Sequence, residues 1–420
     1  MTADQPAASL SIPTPAAPDG AATDRPAIPS EIWVLVSAAF VIALGYGVVA
    51  PVLPQFARSF DVSIAAATVV VSAFALMRLV FAPATGPLVR KLGERPIYMI
   101  GLLIVAASTL ACAFVHSYWQ LLVLRGLGGV GSVMFTVSAM GLLIRISPPA
   151  IRGRVSGVYS SSFVLGNITG PLIGGGLVGF GMRVPFVVYA VALVIATAVV
   201  WLALRGSTLA AAVGVVAAGT DVTKALRDGA YRSVLLTAVV FGWVYAMRIS
   251  LVPLYFSDHL GESAAIAGFA LATYAVGDVM VMIPAGRASD RFGRRPFLIA
   301  GMLTLAGATA ALAFTGSVVV AFILTMVAGW GTGMVSPVIQ ATVADVLYGG
   351  RGGTALSTYQ MAQDCGTVAG PVIAGVVADR LGFGAAFLIT AALASVAALV
   401  WVVTRETLRR EPSSPTAMSS

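Results

Sequence analysis

Five charged side chains interrupt long apolar stretches of this 420-residue sequence, and they are the first candidates for chemistry. They are Arg78, Arg125, Arg248, Asp278 and Asp364. A charge at the centre of a bilayer costs about 2.5–3.5 kcal/mol or more, so such a group faces a water-filled cavity or an oppositely charged partner. A carboxyl group removed from water holds its proton more readily than a solvated one. Asp278 is therefore our first candidate for a group that loads and unloads a proton, and Asp364 is the second.

The stretches around these charges predict a membrane protein built from helices. The chain is 58% hydrophobic and 10% charged, with a mean hydropathy of +0.94. Soluble domains carry about 25% charged residues, so this composition is typical of a chain that spans a bilayer. The net charge of +8 comes from basic residues in short segments between apolar runs. That distribution indicates membrane topology and argues against a nucleic-acid partner.

The sequence offers no pattern of an enzyme or of a metal protein. Cys112 and Cys365 lie inside apolar runs, where a disulfide or a metal site is not expected. His116 and His259 fall in loops, away from any nucleophile, and no phosphate-binding loop is present. We therefore expect no catalysis, no metal and no cofactor, with a proton gradient as the source of energy.

Twelve apolar segments are long enough to span a bilayer as helices, which takes about 20 residues each. These predicted spans, numbered one to twelve, are 32–55, 64–88, 96–115, 118–144, 153–179, 184–204, 233–257, 263–288, 296–315, 317–344, 353–379 and 383–404. The predicted domains are a disordered cytoplasmic tail at 1–30, a six-helix bundle at 31–205, a cytoplasmic linker at 206–231, a second six-helix bundle at 232–405 and a cytoplasmic tail at 406–420. A surface helix is expected at 221–231 within the linker.

The basic residues predict the orientation of the chain. Of the 25 Lys and Arg residues, three lie within spans, and Arg58, Arg183 and Arg380 fall in loops on one side. The remaining nineteen fall on the other side, which the positive-inside rule assigns to the cytoplasm. Both termini are therefore expected in the cytoplasm, with the chain crossing the cell membrane many times.

The two halves of the sequence repeat each other at a distance of 200 residues. A charged turn at 86–96 returns at 286–296, and glycines and prolines keep one register throughout. Corresponding positions include Gly86/Gly286, Gly93/Gly293, Pro96/Pro296, Gly129/Gly329, Gly170/Gly370 and Pro171/Pro371. Six spans repeated in parallel predict a secondary transporter whose substrate site lies between the halves, near the middle of the bilayer.

These motifs resemble those of the major facilitator superfamily over about residues 31–405. The turn between spans eight and nine is similar to the family's loop motif, with Gly286, Asp290, Arg291, Gly293 and Arg294 in place. Arg125 and Gly129 resemble the span-four motif, with Gly128 where the family usually has Gln. A set of residues on span five resembles the signature of proton-driven drug antiporters: Gly166, Gly170, Pro171, Gly174 and Gly175.

The resemblance implies twelve transmembrane helices and a loop carboxylate that closes the cytoplasmic side. Asp290 would fill that role by facing the start of span five, near Gly153 and Ser156. The first copy of the loop has Arg90 at the acidic position. An arginine is unfavourable beside a helix N-terminus, and we expect Arg90 to pair with Asp345 instead.

The same resemblance implies roles for the buried charges. Span two packs against span eleven in the family, so Arg78 and Asp364 are expected to pair across the halves. Asp278 is then left without an obvious partner. Arg125 would tune the proton step.

Polar and aromatic side chains at helical spacing predict the walls of the cavity. They are Tyr46, Tyr245, Arg248, Trp330, Ser336, Gln340, Gln360 and Gln363. In lipid such groups must face protein or water. Glycines four residues apart on spans five and eleven, with Pro171 and Pro371, predict a bent, closely packed helix at the interface between the halves.

The sequence favours a proton-coupled exporter of small amphipathic compounds that works by alternating access. An importer of a small organic anion or sugar derivative remains the alternative, because three arginines face two aspartates at membrane depth. A receptor or scaffold without flux is the third possibility. The expected partners are a small-molecule substrate, protons and the bilayer, and a monomer is expected.

Overall fold

The computed structural model describes residues 28–147, 151–206, 226–346 and 353–408. Every regular element in these ranges is a helix. Eleven of the helices are long and apolar enough to cross a membrane, and the last, Gly353–Val403, is long enough for two spans. The fold is therefore the predicted all-α membrane fold. The predicted tail at 1–30, most of the linker and most of the tail at 406–420 lie outside the described residues.

The first half contains six spans, and span one is broken after Val49. Span one consists of Ser30–Val49 and a short helix, Leu53–Arg58. Spans two to six are Ile64–Leu92, Glu94–Cys112, Tyr118–Ile146, Arg152–Val178 and Val184–Leu204.

The second half repeats this order. Span seven is Gly229–Leu254, followed by one π-helical turn, Tyr255–His259. It begins four residues before the predicted span, within the segment that we assigned to the linker. Spans eight to ten are Ala264–Phe292, Arg294–Leu312 and Val318–Val346. Spans eleven and twelve lie within Gly353–Val403 as two helices that meet at a kink at Gly382, at φ 84° and ψ 166°.

The starts and ends of the spans repeat between the halves. Ser63 and Ser263 cap spans two and eight by accepting hydrogen bonds from the backbone N–H groups of Ala66 and Ile266. Gly93 and Gly293 end the same spans at φ 85° and 109°, where a side chain is strained. The charged turns therefore depend on their glycines for backbone geometry.

The spans pack as two bundles. Span one lies against spans five and six, span three against four and six, and span two against four. Spans seven to twelve pack in the corresponding pattern. The main contacts between the bundles pair span two with span eleven and span five with span eight. These four helices therefore frame the space in which a substrate site would lie.

Hydrogen bonds and an ion pair join the bundles near the end opposite to Ser30 and Leu408, here called the outer end. Asp379 accepts hydrogen bonds from the backbone N–H groups of Ile64 and Ala65 at 2.8 and 2.9 Å. Arg58 pairs with Asp258 at 3.1 Å. Gln55 donates to the carbonyl of Pro253, Thr68 to that of Pro371 and Ser72 to that of Val368. The outer end is therefore closed in this structure.

Candidate functional site

Two corresponding hydrogen bonds hold the charges of spans two and eight at the centre of the molecule. Arg78 Nη1 donates to the Ser132 hydroxyl at 2.9 Å. The Thr332 hydroxyl oxygen lies 3.3 Å from Asp278 Oδ1 and 3.0 Å from the carbonyl oxygen of Gly329, so its one proton is shared between these two acceptors. In both halves the bond joins the second helix of the repeat to the fourth. The two halves therefore share this contact between helices, although the charged residue is an arginine in the first half and an aspartate in the second.

The expected ion pair between Arg78 and Asp364 does not form in this structure. Arg78 is engaged by Ser132, and no nitrogen of its side chain comes within 4 Å of the Asp364 carboxylate. The two groups remain close enough to interact electrostatically across the halves. Both side chains are half-buried, so each has some access to water.

Asp278 has partners that sequence reasoning did not anticipate. Besides the bond from Thr332, its carboxylate lies in the electrostatic field of Arg248 on span seven. Gly329 and Gly333 on span ten pack against the backbone of span eight at Asp278, where an added Cβ would come within 2.2 Å of a carbonyl oxygen. Close packing of these two helices therefore brings Thr332 to the carboxylate.

Arg248 lies between two tyrosine rings. Its guanidinium carbon is 4.5 Å from the ring centroid of Tyr274 and 5.1 Å from that of Tyr245. Such cation–π contacts stabilise a cation with few other partners. The buried Tyr274 hydroxyl lies near Thr332 and Arg248 without a well-formed hydrogen bond. Arg248, Tyr274, Thr332 and Asp278 together form what we call the Asp278 cluster.

A small pocket lies between the halves beside this cluster. Its volume is about 20 Å³, and it is lined by Tyr46, Asn167, Tyr245 and Arg248 among others. A volume of this size holds about one water molecule. The pocket brings together three of the eight predicted cavity residues. The Tyr46 hydroxyl lies beside that of Tyr245, so this contact also joins the two halves.

Arg125 is a buried cation for which the described residues offer no carboxylate. The residue is 5% exposed, and its guanidinium carbon lies 4.7 Å from the ring centroid of Phe74. Its Nε atom is buried without a hydrogen-bond acceptor. A cation in this state favours an anion or a water molecule as its next neighbour.

The remaining predicted cavity residues are less enclosed. Ser336 and Gln363 are half-buried, whereas Gln340 and Gln360 are exposed. The indole N–H of Trp330 is buried and meets no acceptor. Gln340 and Gln360 do not line the pocket between the halves.

Most of the ridge glycines pack within their own half, which corrects our expectation that the ridges form the interface between the halves. A Cβ added at Gly166, Gly170 or Gly174 would come within 2.4–2.6 Å of a carbonyl oxygen of span one. Gly366 and Gly370 approach span seven in the same way. Two glycines reach the other half: Gly175 meets Gly268 on span eight, and a Cβ added at Gly375 would come within 2.1 Å of the Thr68 hydroxyl on span two. The other ridge glycines hold pairs of helices within one half.

Two ion pairs fix the charged turns, and their charges are reversed between the halves. Glu94 at the start of span three pairs with Arg145 at the foot of span four. At the corresponding positions Arg294 pairs with Asp345, at 3.0 Å, and also with Asp290.

This arrangement overturns the expected pair of Arg90 and Asp345. Asp345 is bound by Arg294, and Arg90 is exposed and makes no ion pair within the described part of the chain. The side chain of Asp290 is 66% exposed and paired within its own turn. Its predicted contact with the start of span five, near Gly153 and Ser156, stays a prediction, because part of that segment lies outside the described residues.

Some residues of the site escaped the sequence analysis although a signal was present. Tyr274 lies one helical turn before Asp278, so it shares the face of the carboxylate. Glu94 and Arg145 stand 200 residues before Arg294 and Asp345, and comparing the repeats by charge would have found them. Asp379 gives no such signal, because its counterpart is Gly179.

Comparisons with known proteins agree with this geometry. The family model described as Major Facilitator Superfamily matches residues 35–263 and 234–418. The Quinolone resistance protein NorA of Staphylococcus aureus is 34% identical over 156 residues, which cover 37% of this chain and 40% of NorA. The class B Tetracycline resistance protein of Escherichia coli is 26% identical over 314 residues, covering 72% of this chain and 77% of that protein.

Solved structures show the same fold. A bacterial homologue of the human lysosomal transporter Spinster, in an inward-facing and unoccupied conformation, gives a TM-score of 0.74 at 18% identity, covering 88% of this chain and 95% of that one. A D-xylose-proton symporter gives 0.72 at 17% identity, covering 90% and 99%. With the family model matching nearly the whole helical region, the chain belongs to the Major Facilitator Superfamily.

Proposed function

We propose that this protein exports small amphipathic compounds in exchange for protons. The observation that carries the proposal is the Asp278 cluster, in which one carboxylate meets a hydroxyl and a cation beside the pocket between the halves. The names of two relatives, a quinolone and a tetracycline resistance protein, support export of drug-like compounds.

In the proposed coupling, the protonation state of Asp278 controls the position of Arg248. An ionised Asp278 attracts this guanidinium and holds it between the rings of Tyr245 and Tyr274. Protonation of Asp278 removes the attraction, so Arg248 is freed to move with span seven. Because each ligand must prefer one conformation in order to drive the exchange, the proton and the substrate would favour opposite orientations of the halves.

Replacing Asp278 tests this proposal directly. Asp278→Asn keeps the size of the side chain and removes the titration, so we expect substrate export driven by a pH gradient to be lost in vesicles while expression is retained. Asp364→Asn is the matched comparison and should retain more activity. Full gradient-driven export by Asp278→Asn would remove this residue from the mechanism.

A second candidate function rests on Arg125. This buried cation has no carboxylate neighbour among the described residues, as a site for a small organic anion would require. Vesicle assays with panels of lipophilic cations and organic anions would separate export from anion uptake. Substrate-dependent proton movement with organic anions alone would favour the importer.

A further inference from the structure

A groove lies on the surface of the second half where spans seven and twelve meet, on the side that the charge count assigns to the cytoplasm. Its volume is about 870 Å³. Among its lining residues are Arg227, Arg232 and Arg405, together with a single acidic residue, Asp228. None of these residues contributes to the site described above.

Both carboxylate oxygens of Asp228, the one acidic residue that lines the groove, already accept hydrogen bonds. Asp228 Oδ1 accepts the backbone N–H of Ala230 at 2.9 Å and so caps span seven. Its Oδ2 accepts a hydrogen bond from Arg405 at 2.6 Å. Arg227 and Arg232 are exposed and make no ion pair with any residue that the structure describes. Within the described part of the chain, these two guanidinium groups therefore have no counter-charge.

The groove changes from basic to apolar with depth. Leu236 lies about 6 Å deeper than Arg232 along span seven, and Val400 lies correspondingly deeper than Arg405 on span twelve. Val403 completes the apolar wall and is 85% exposed. The guanidinium groups thus lie at the end of the predicted spans, where lipid headgroups are expected, and the apolar surface lies deeper along the helices.

The first half has no equivalent of this groove charge. Arg205 corresponds to Arg405, and its guanidinium carbon lies 5.6 Å from the ring centroid of Trp201. Ser30 and Ile32 stand where the second half has Ala230 and Arg232. The accumulation of arginines is therefore a property of the second half and not of the repeated fold.

We propose that this groove binds one anionic phospholipid of the cytoplasmic leaflet, with its phosphate between Arg227 and Arg232 and an acyl chain along Leu236, Val400 and Val403. Basic pockets between helices on this side of a membrane suit anionic headgroups. The exposed apolar wall favours a lipid over a free phosphate, because a soluble anion leaves that wall uncovered.

The test is lipid binding to the purified full-length chain in detergent, measured by native mass spectrometry. Phosphatidylglycerol should bind to the wild type, and phosphatidylcholine with equal chains should bind far more weakly. In Arg227→Gln/Arg232→Gln the affinity for phosphatidylglycerol should fall by about 25-fold, from about 5-fold for each arginine. Arg205→Gln, the matched variant of the first half, should bind as the wild type does.

Further arms separate charge from folding and lipid from free anion. Arg227→Lys/Arg232→Lys keeps the charge and should retain phosphatidylglycerol binding. Glycerol phosphate should not displace the lipid at equal concentration, and displacement would overturn the assignment to a lipid. Equal binding of the two phospholipids by the wild type, or an unchanged affinity in the double Gln variant, would overturn the site itself.

Discussion

At the scale of single residues, Thr332 is the only described side chain that hydrogen-bonds Asp278. We expect Thr332→Val to reduce gradient-driven transport by about tenfold, since a hydrogen bond to a charged group contributes about 1.5 kcal/mol or more. The measurement is the initial rate of export in vesicles at fixed protein level.

Thr325→Val is the matched control for this prediction. Thr325 lies two helical turns away on the same span, is buried, and donates only to the carbonyl of Phe322. It should lose little transport. Equal losses in the two variants would mean that Thr332 acts only by supporting the helix.

At the scale of helices, an ion pair in each half joins the start of the third span to the end of the fourth, and the charges are opposite in the two halves. Glu94 is 8% exposed and Arg145 16%, so loss of either partner leaves a poorly solvated charge. Breaking a buried pair typically costs about 3–5 kcal/mol. We expect Glu94→Arg or Arg145→Asp alone to lower the melting temperature and the transport rate strongly.

Exchanging both charges should restore what the single changes remove. Glu94→Arg/Arg145→Asp recreates the arrangement that the second half already uses, with Arg294 and Asp345. Recovery of the melting temperature and of transport in the double variant would establish that complementarity matters, whichever residue carries the negative charge. A double variant as poor as the singles would contradict this.

The start of span nine is capped from the far end of the chain. Glu406 accepts hydrogen bonds from the backbone N–H groups of Arg294 and Arg295 at 2.8 and 3.1 Å. Burial raises the pKa of the Glu406 carboxyl, but bonds from these two groups and from the N–H groups of Leu408 and Thr407 outweigh it and hold the pKa below its ordinary value.

This shift gives a pH-dependent stability with a defined sign. Because the folded-state pKa is lowered, the stabilisation is complete above the ordinary value of 4.5 and is lost as the pH falls through the folded-state pKa. We expect Glu406→Gln to lower the free energy of unfolding by about 1 kcal/mol at neutral pH. Melting curves of the variant and the wild type should converge at low pH; a constant difference would exclude titration of this carboxyl as the cause.

At the scale of the whole molecule, closure of the outer end depends on contacts that one half makes and the other does not copy. Asp379 bonds the first two N–H groups of span two, whereas its counterpart on span five is Gly179. Removing this carboxylate should shift the population toward an open outer end by about 5-fold, from about 1 kcal/mol for the capping contact.

Spin labels at Trp119→Cys and Val319→Cys would measure that shift. The two side chains are 70% and 69% exposed and occupy corresponding outer positions in the two halves. In a background with Cys365→Ser, Asp379→Asn should increase the fraction of long distances, and Arg380→Gln should not. An unchanged distance distribution in Asp379→Asn would show that other contacts hold the outer end closed.

The twelve spans could be predicted because the length of an apolar run is a local property of the sequence. The 200-residue repeat is visible when the two halves of the sequence are compared. The partners of the charges could not, since the helical pattern gives the face on which a side chain lies but not which side chain of a neighbouring helix packs against it. Arg78 and Asp364 occupy facing helices, yet Arg78 donates to Ser132. Asp345 looked free for Arg90, and only the fold brings Arg294 to it at 3.0 Å. Comparing the charges at corresponding positions of the two halves would have indicated the pair of Arg294 and Asp345.

The junction at Gly382 gives spans eleven and twelve one further property. A single non-helical glycine, at φ 84° and ψ 166°, joins the two helices with no loop between them, so neither helix can shift at this junction without displacing the other. Span twelve extends from Gly382 for 21 residues to Val403, about 30 Å. Asp379 lies just before the junction, and Glu406 lies just past the other end of span twelve. Span twelve therefore connects the outer closure made by Asp379 with the cap of span nine at the opposite end of the helices.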